Sequence, residues 1–121
     1  MIALFAAAAA PVLFDLSKLP ALGAGAQIGY EMCLFGAAEQ LWKADKPVAD
    51  LFEVAKETCS KERIHVDALL DTLDASRHAE ANTEITDEEF AESERTREAL
   101  AERSRILFEA YVRNFRADGK S

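Results

Sequence analysis

An all-α protein, with three helices running up-down-up and a disulfide joining the first two, is what this 121-residue chain predicts, and three features carry the reading. Proline and glycine are sparse, three and five residues, and every proline precedes Val48. The remainder is dense in Ala, Leu, Glu and Arg, which favour helices. No period-two alternation or Asn-Gly turn marks a strand pair. Cys33 stands thirteen residues before Lys46, and Cys59 thirteen after it. If Lys43–Asp50 is the turn of an antiparallel helical hairpin, both thiols lie at one height, about 20 Å up each arm. Disulfide geometry requires that placement.

The first fourteen residues, Met1–Phe14, are unbroken apolar. A bilayer span takes about 20 residues, so the run suits the apolar region of a secretory signal instead. Ala24-Gly25-Ala26 supplies small residues where a signal peptidase reads. Residues 1–26 are therefore expected to be a signal peptide, and 27–121 the helical domain. No Lys or Arg precedes the apolar run, and Asp15–Ala26 is long for a cleavage region. An arm packed on the domain and a retained membrane anchor are the other roles open to this segment. Two cysteines, with no CxxC and no Cys/His cluster, argue against zinc and for a disulfide formed in an oxidising compartment. Periplasmic or secreted localisation follows from both hints together.

The first helix is expected from Gln27 to Ala44. At 100° per residue, Tyr30, Leu34, Ala37 and Leu41 share one face and Ile28, Met32, Phe35 and Trp42 the opposite one. A helix apolar on two faces is expected to lie between neighbours. Gly29, Cys33, Gly36 and Gln40 form a small stripe that lets the second helix come close to make the disulfide. That second helix is expected from Pro47, a favoured first residue, to His78. Its stripe is Val48, Leu51, Phe52, Ala55, Cys59, Val66, Leu69, Leu70 and Leu73, with Glu62 intruding. A turn follows at Glu80–Ile85. Thr86-Asp-Glu-Glu89 matches a capping box and opens a third helix, Asp87–Arg116, whose apolar face is Phe90, Leu100, Ala101, Leu107, Phe108, Tyr111, Val112 and Phe115.

Matching heights along straight helices sets Cys59 level with Phe108, and Phe52 level with Phe115. Leu69, Leu70 and Leu73 then face the polar stretch Glu92–Glu98. Either Phe14, Leu16, Leu19 and Leu22 fold back over these leucines, or they form a partner or dimer contact, since exposed apolar patches commonly mark such sites. The three leucines are taken as the interaction patch.

Charge narrows the partners. The net charge is −8. Asp67–Glu98 carries eleven acids against three bases, while Ala99–Ser121 carries three acids and five bases. Phosphate recognition needs a clustered basic surface, so nucleic acid is excluded. Arg103, Arg105, Arg113, Arg116 and Lys120 are expected to complement the negative end of their own helix. Glu62-Arg-Ile-His65 is half of a di-iron carboxylate motif. His78 is preceded at that spacing by Ala75, so the second half is missing. Glu62 and His65 remain the candidates if the chain binds metal or is an enzyme. Asp67, Asp71, Asp74 and His78 form an acidic row expected to be a solvated face. No serine has a histidine placed to activate it, and no glycine-rich phosphate loop occurs. The chain thus reads as an exported, non-catalytic protein-interaction module. It calls for no cofactor and has no integral membrane span once the signal is removed.

Overall fold

The computed structural model describes residues 13–119. Among these there are four α-helices and no strand: α1 Ala21–Leu41, α2 Val48–Thr58, α3 Ser60–Ala81 and α4 Asp87–Gly119. A 3₁₀ turn, Leu16–Lys18, precedes α1. The all-helical expectation holds, and so does the disulfide: Cys33 and Cys59 are bonded, with Cα atoms 5.9 Å apart. Most of the apolar run read as a signal lies outside the described residues.

α1 begins six residues earlier than expected. Pro20 sits at its N-cap with extended backbone, and from Ala21 onward nothing breaks a helix until the turn after Leu41. The face carrying Tyr30, Leu34, Ala37 and Ala38 is buried. α1 packs against α2, α3 and α4, which makes it the central element. The opposite face departs from the expectation of a helix buried on two sides. Ile28, Met32 and Phe35 are exposed, Met32 by 70%. The small stripe also has a different use. Cys33 is bonded, but a methyl group added at Gly29 or Gly36 would meet nothing within 4 Å among the described residues. Each of these glycines weakens the helix by about 1 kcal/mol relative to alanine, and no neighbour in the described chain needs the space.

The expected second helix is two helices. The backbone leaves helical geometry at Cys59, φ −101° and ψ 22°. Its N–H is shared between the carbonyls of Ala55 and Glu57, and the Arg63 N–H donates to the Cys59 carbonyl. Thr58, immediately before, donates its hydroxyl to the Val54 carbonyl at 3.0 Å, a back-bond that often bends helices. The break therefore falls where Cys59, fully buried, is tied to α1.

This break moves the register. Phe52 meets Phe108 with ring centroids 5.4 Å apart, not Phe115, which packs on Phe35 at 5.3 Å. Straight-rod matching of heights failed because α2–α3 is not one rod and α3 does not lie against α4. No Cα of α3 comes within 8 Å of a Cα of α4. The core comprises Leu34 and Ala38 of α1, Leu51 and Ala55 of α2, and Phe108 and Val112 of α4, closed by the disulfide. Full burial of one such large side chain stabilises the fold by about 1.5–3 kcal/mol.

The ends of the helices follow local chemistry. α3 stops at Asn82, which takes the left-handed conformation, φ 53°, tolerated by asparagine. The Thr83 N–H closes back on the His78 carbonyl at 3.0 Å. The capping box of α4 forms as expected. Glu89 N–H donates to Thr86 Oγ1 and Thr86 N–H to Glu89 Oε1, both at 3.1 Å. At the other end of the molecule Arg116 donates to the carbonyls of Trp42, Ala44 and Lys46, each at 3.0 Å. It caps the end of α1 and the turn after it, where the sequence suggested service to its own helix.

Candidate functional site

Leu70 and its neighbours lie on α3 where α1 begins. Leu70 is 7% exposed, and Leu69 and Leu73 are half-buried. A methyl group placed on Gly23 would come within 2.9 Å of Leu70 Cδ2 and 3.9 Å of Leu73 Cδ1, so a larger residue there would have to push the end of the Leu70 side chain aside. Phe14, Leu16 and Leu19 pack against the same core, while Leu22 points outward. In the described chain the segment from residue 13 onward lies over the leucine patch, the first of the two arrangements the sequence left open. Leu70 is reachable by a partner only if that segment leaves, whereas Leu69 and Leu73 stay partly exposed.

A polar network with little trace in the residue pattern holds the segment. Arg103 on α4 clamps Glu31 on α1 in bidentate fashion, Nε to Oε2 at 2.7 Å and Nη2 to Oε1 at 3.0 Å. Its third nitrogen, Nη1, donates to the Phe14 carbonyl at 3.0 Å. Gln27 Nε2 donates to Glu31 Oε2 at 2.9 Å and to Ser104 Oγ at 3.0 Å, and the Ser104 hydroxyl donates to the Leu100 carbonyl. Gln27, Glu31 and Ser104 are all buried, and no buried side-chain polar atom among the described residues lacks a partner. The hydrogen bonds to Glu31 hold the Arg103 guanidinium above its ordinary value. Burial raises the phenol of Tyr30 and, with the charge of Glu31, that of Tyr111. A completed network of this kind fixes alignment between helices.

Because α3 and α4 diverge, a groove of about 570 Å³ runs between them, with Gln27 and Tyr30 at its floor. Side chains bridge it. Arg97 reaches Asp71 at 2.6 Å and Asp67 at 3.3 Å, and Ser93 donates to Asp74 at 3.3 Å. At the closed end His78 is buried, with Nδ1 3.0 Å from Thr83 Oγ1 and Nε2 3.2 Å from Glu89 Oε2. The carboxylates of the row Asp67, Asp71, Asp74 remain solvated as expected, with the Asp71 side chain 75% and Asp67 48% exposed, while they also reach α4; His78 alone is buried. One cation, Arg97, comes to the row from across the groove, and Arg63 and Arg77 of α3 pair with Asp67 and Asp74.

Glu62 is half-buried and His65 exposed, beside Lys61 in a shallow hollow next to Ala26 and Gly29. No third ligand joins them. Among the described residues there is no group of three His, Cys, Asp or Glu placed to hold a metal. Nor is any described helix long and apolar enough to cross a membrane. Among the described residues, the outer face of α1 is one exposed apolar surface: Leu22, Gly25, Ile28, Gly29 and Met32, with Phe35 and Gly36 at its far end. Phe35 continues it toward α4 through an edge contact with Tyr111, ring centroids 5.1 Å apart. Comparison with protein-family models, curated proteins and solved structures finds no match.

Proposed function

We propose that the protein is an exported, non-catalytic interaction module, a small helical domain stapled by one disulfide that works by contacting another protein chain. The observation that carries this is the outer face of α1, apolar and uncharged in a chain of net charge −8. Exposed patches of this kind mark contact sites in soluble proteins. The disulfide supports an oxidising compartment, periplasmic or extracellular. The apolar N-terminal segment supports export. The face from Ile28 to Gly36 lies beyond Ala26 and so belongs to the protein whether or not residues 1–26 are cleaved. A photoreactive amino acid at position 32, in cells that export the chain, is expected to give a discrete cross-linked adduct. The same probe at position 57, exposed on α2, is expected to give none. No adduct from position 32 defeats the reading.

A second contact, through Leu69, Leu70 and Leu73, is favoured by the way Gly23 lies over Leu70 and Leu73. A chain cleaved after Ala26 loses that cover and presents the leucines to a partner. The intact mass of protein recovered from a secreting host decides which form exists.

A further inference from the structure

Two polar atoms at the floor of the α3–α4 groove have no partner among the described residues. The network around Arg103 uses the Gln27 amide nitrogen twice, toward Glu31 and Ser104, and leaves Gln27 Oε1 without a hydrogen bond. One turn further along the same face of α1, the Tyr30 hydroxyl has none either. Gln27 is 2% and Tyr30 4% exposed, and both line the groove. Every described side-chain polar atom wholly shut off from solvent is satisfied, so these two open into the groove. Its volume of about 570 Å³ is that of small-molecule sites, where a few placed polar groups fix a ligand between apolar walls. The walls here are Phe52, Val66 and Leu100. We propose that the groove binds a free amino acid with an apolar side chain. Its carboxylate meets Tyr30 and Arg63, its ammonium meets Gln27 Oε1, and its side chain lies on the apolar walls.

The two sides of the groove differ in what they offer. On the α3 side, the Arg63 guanidinium makes no hydrogen bond among the described residues. Its nearest carboxylate, Asp67, is 3.7 Å away, too far for one. Arg63 is the foremost charge acting on the Tyr30 phenol, where it opposes the upward push of burial, so the two groups are neighbours. The phenol stays protonated at neutral pH and donates. Together Tyr30 and Arg63 call for an anionic acceptor. On the α4 side, Gln27 Oε1 can only accept. Glu94 and Glu98 stand at that rim, and neither has an ion pair among the described residues. This side calls for a cationic donor. Arg97, Asp67 and Asp71 engage one another. A free α-amino acid carries both poles on one carbon. A fatty acid would suit Arg63 but would leave Gln27 Oε1 without a donor, and the interior of a peptide has neither pole. The site lies across α1 from Met32, so it stands or falls apart from the contact proposed above.

The test is isothermal titration calorimetry of the full oxidised chain with L-phenylalanine and with L-leucine, up to millimolar ligand. Saturable binding of at least one of them is expected, and binding of neither overturns the proposal. Tyr30→Phe removes only the hydroxyl and should weaken binding about tenfold, the worth of a hydrogen bond to a charged group. Arg63→Gln should weaken it by a similar factor. Full affinity in both variants overturns the site. Because the Tyr30 hydroxyl has no partner in the described chain, Tyr30→Phe should melt at the parent temperature or above it. A marked fall in its melting temperature would show that the hydroxyl is already engaged, and the proposal fails. Phenylpropanoate lacks the ammonium and phenethylamine lacks the carboxylate, and each should bind about tenfold more weakly than phenylalanine. If phenylpropanoate binds as tightly, the cationic pole is wrong and the ligand is not an amino acid. Titration reads the groove and the position-32 probe reads the outer face of α1, so failure of either reading is seen separately.

Discussion

Reduction of Cys33–Cys59 offers the cleanest quantitative check on the fold. The bond closes a loop with a sequence separation of 26. In the chain-entropy model that loop restrains the unfolded ensemble by about 3.5 kcal/mol at 25 °C. A domain of this length has a total stability of about 6–18 kcal/mol, so the loss is between about a fifth and three-fifths of the whole. At the melting point it corresponds to a fall of about 14 °C. The assay is urea denaturation followed by far-ultraviolet circular dichroism, with and without a phosphine reductant. The reduced protein should lose stability, and its denaturant slope should rise slightly as the unfolded chain expands. Reduction is a better comparison than substitution. Cys59 is fully buried, and replacing it with alanine would add a packing loss. A reduced protein within about 1 kcal/mol of the oxidised one, judged against the chain-entropy value, would refute the reasoning. It would mean that α1 and α2 are already held together without the bond, or that the loop is not closed in the protein.

Other outcomes follow from single contacts. Arg103→Met strands Glu31 in a buried position and should cost about 3 kcal/mol by chemical denaturation. Arg103→Lys should recover only part of this, because an ammonium cannot reproduce the fork that holds Glu31 and the Phe14 carbonyl together. Leu70→Ala should cost about 2–4 kcal/mol in the full chain, and distinctly less in a chain shortened by residues 1–26, because Gly23 and Leu19 complete its burial. Hydrogen bonds from the Thr86 N–H and hydroxyl hold the Glu89 carboxyl below its usual range. Its contribution is therefore present above the ordinary carboxylate value of about 4.3, and is lost as pH falls through the lower folded value. The protection of amides over the first turn of α4, measured against their intrinsic exchange rates, should fall in acid, and Glu89→Gln should blunt that pH dependence.

The sequence made some of this arrangement legible because certain signals are local. Thr86 and Glu89 carry their geometry in a four-residue spacing, and the cysteines carry theirs in equal distances from a turn. The buried face of α1, with Tyr30, Leu34 and Ala37, is visible as a helical stripe. The break at Cys59 was not visible, because Thr58-Cys59-Ser60 contains neither proline nor glycine. It arises where a tertiary bond and a threonine back-bond act on the same turn. The register of α4 was lost with it. The network of Gln27, Glu31, Arg103 and Ser104 joins residues more than seventy positions apart, and each looks like an ordinary surface residue in its own helix. One sign was available: Gln27 and Glu31 fall beside the apolar stripe of α1, at positions where a polar side chain must find a partner or pay for burial.

The N-terminal segment shows why one stretch supports two functional readings. A secretory signal and a helix that covers a leucine patch both need a compact run of apolar and small residues, so composition cannot separate them. The structure adds what composition lacks, a specific fit. Gly23 admits Leu70, Arg103 holds the Phe14 carbonyl, and Pro20 starts α1 upstream of Ala26. These contacts make residues 13–26 part of the fold of the uncleaved chain. They also define what cleavage would do: shorten α1 by two turns, free one arm of Arg103, and expose Leu70 and Leu73. The outer face of α1 from Ile28 to Gly36 is unchanged by that event, whereas the leucine patch depends on it wholly. Of the two surfaces, the α1 face is therefore the constant one, and the leucines are a surface that removal of residues 1–26 would uncover further.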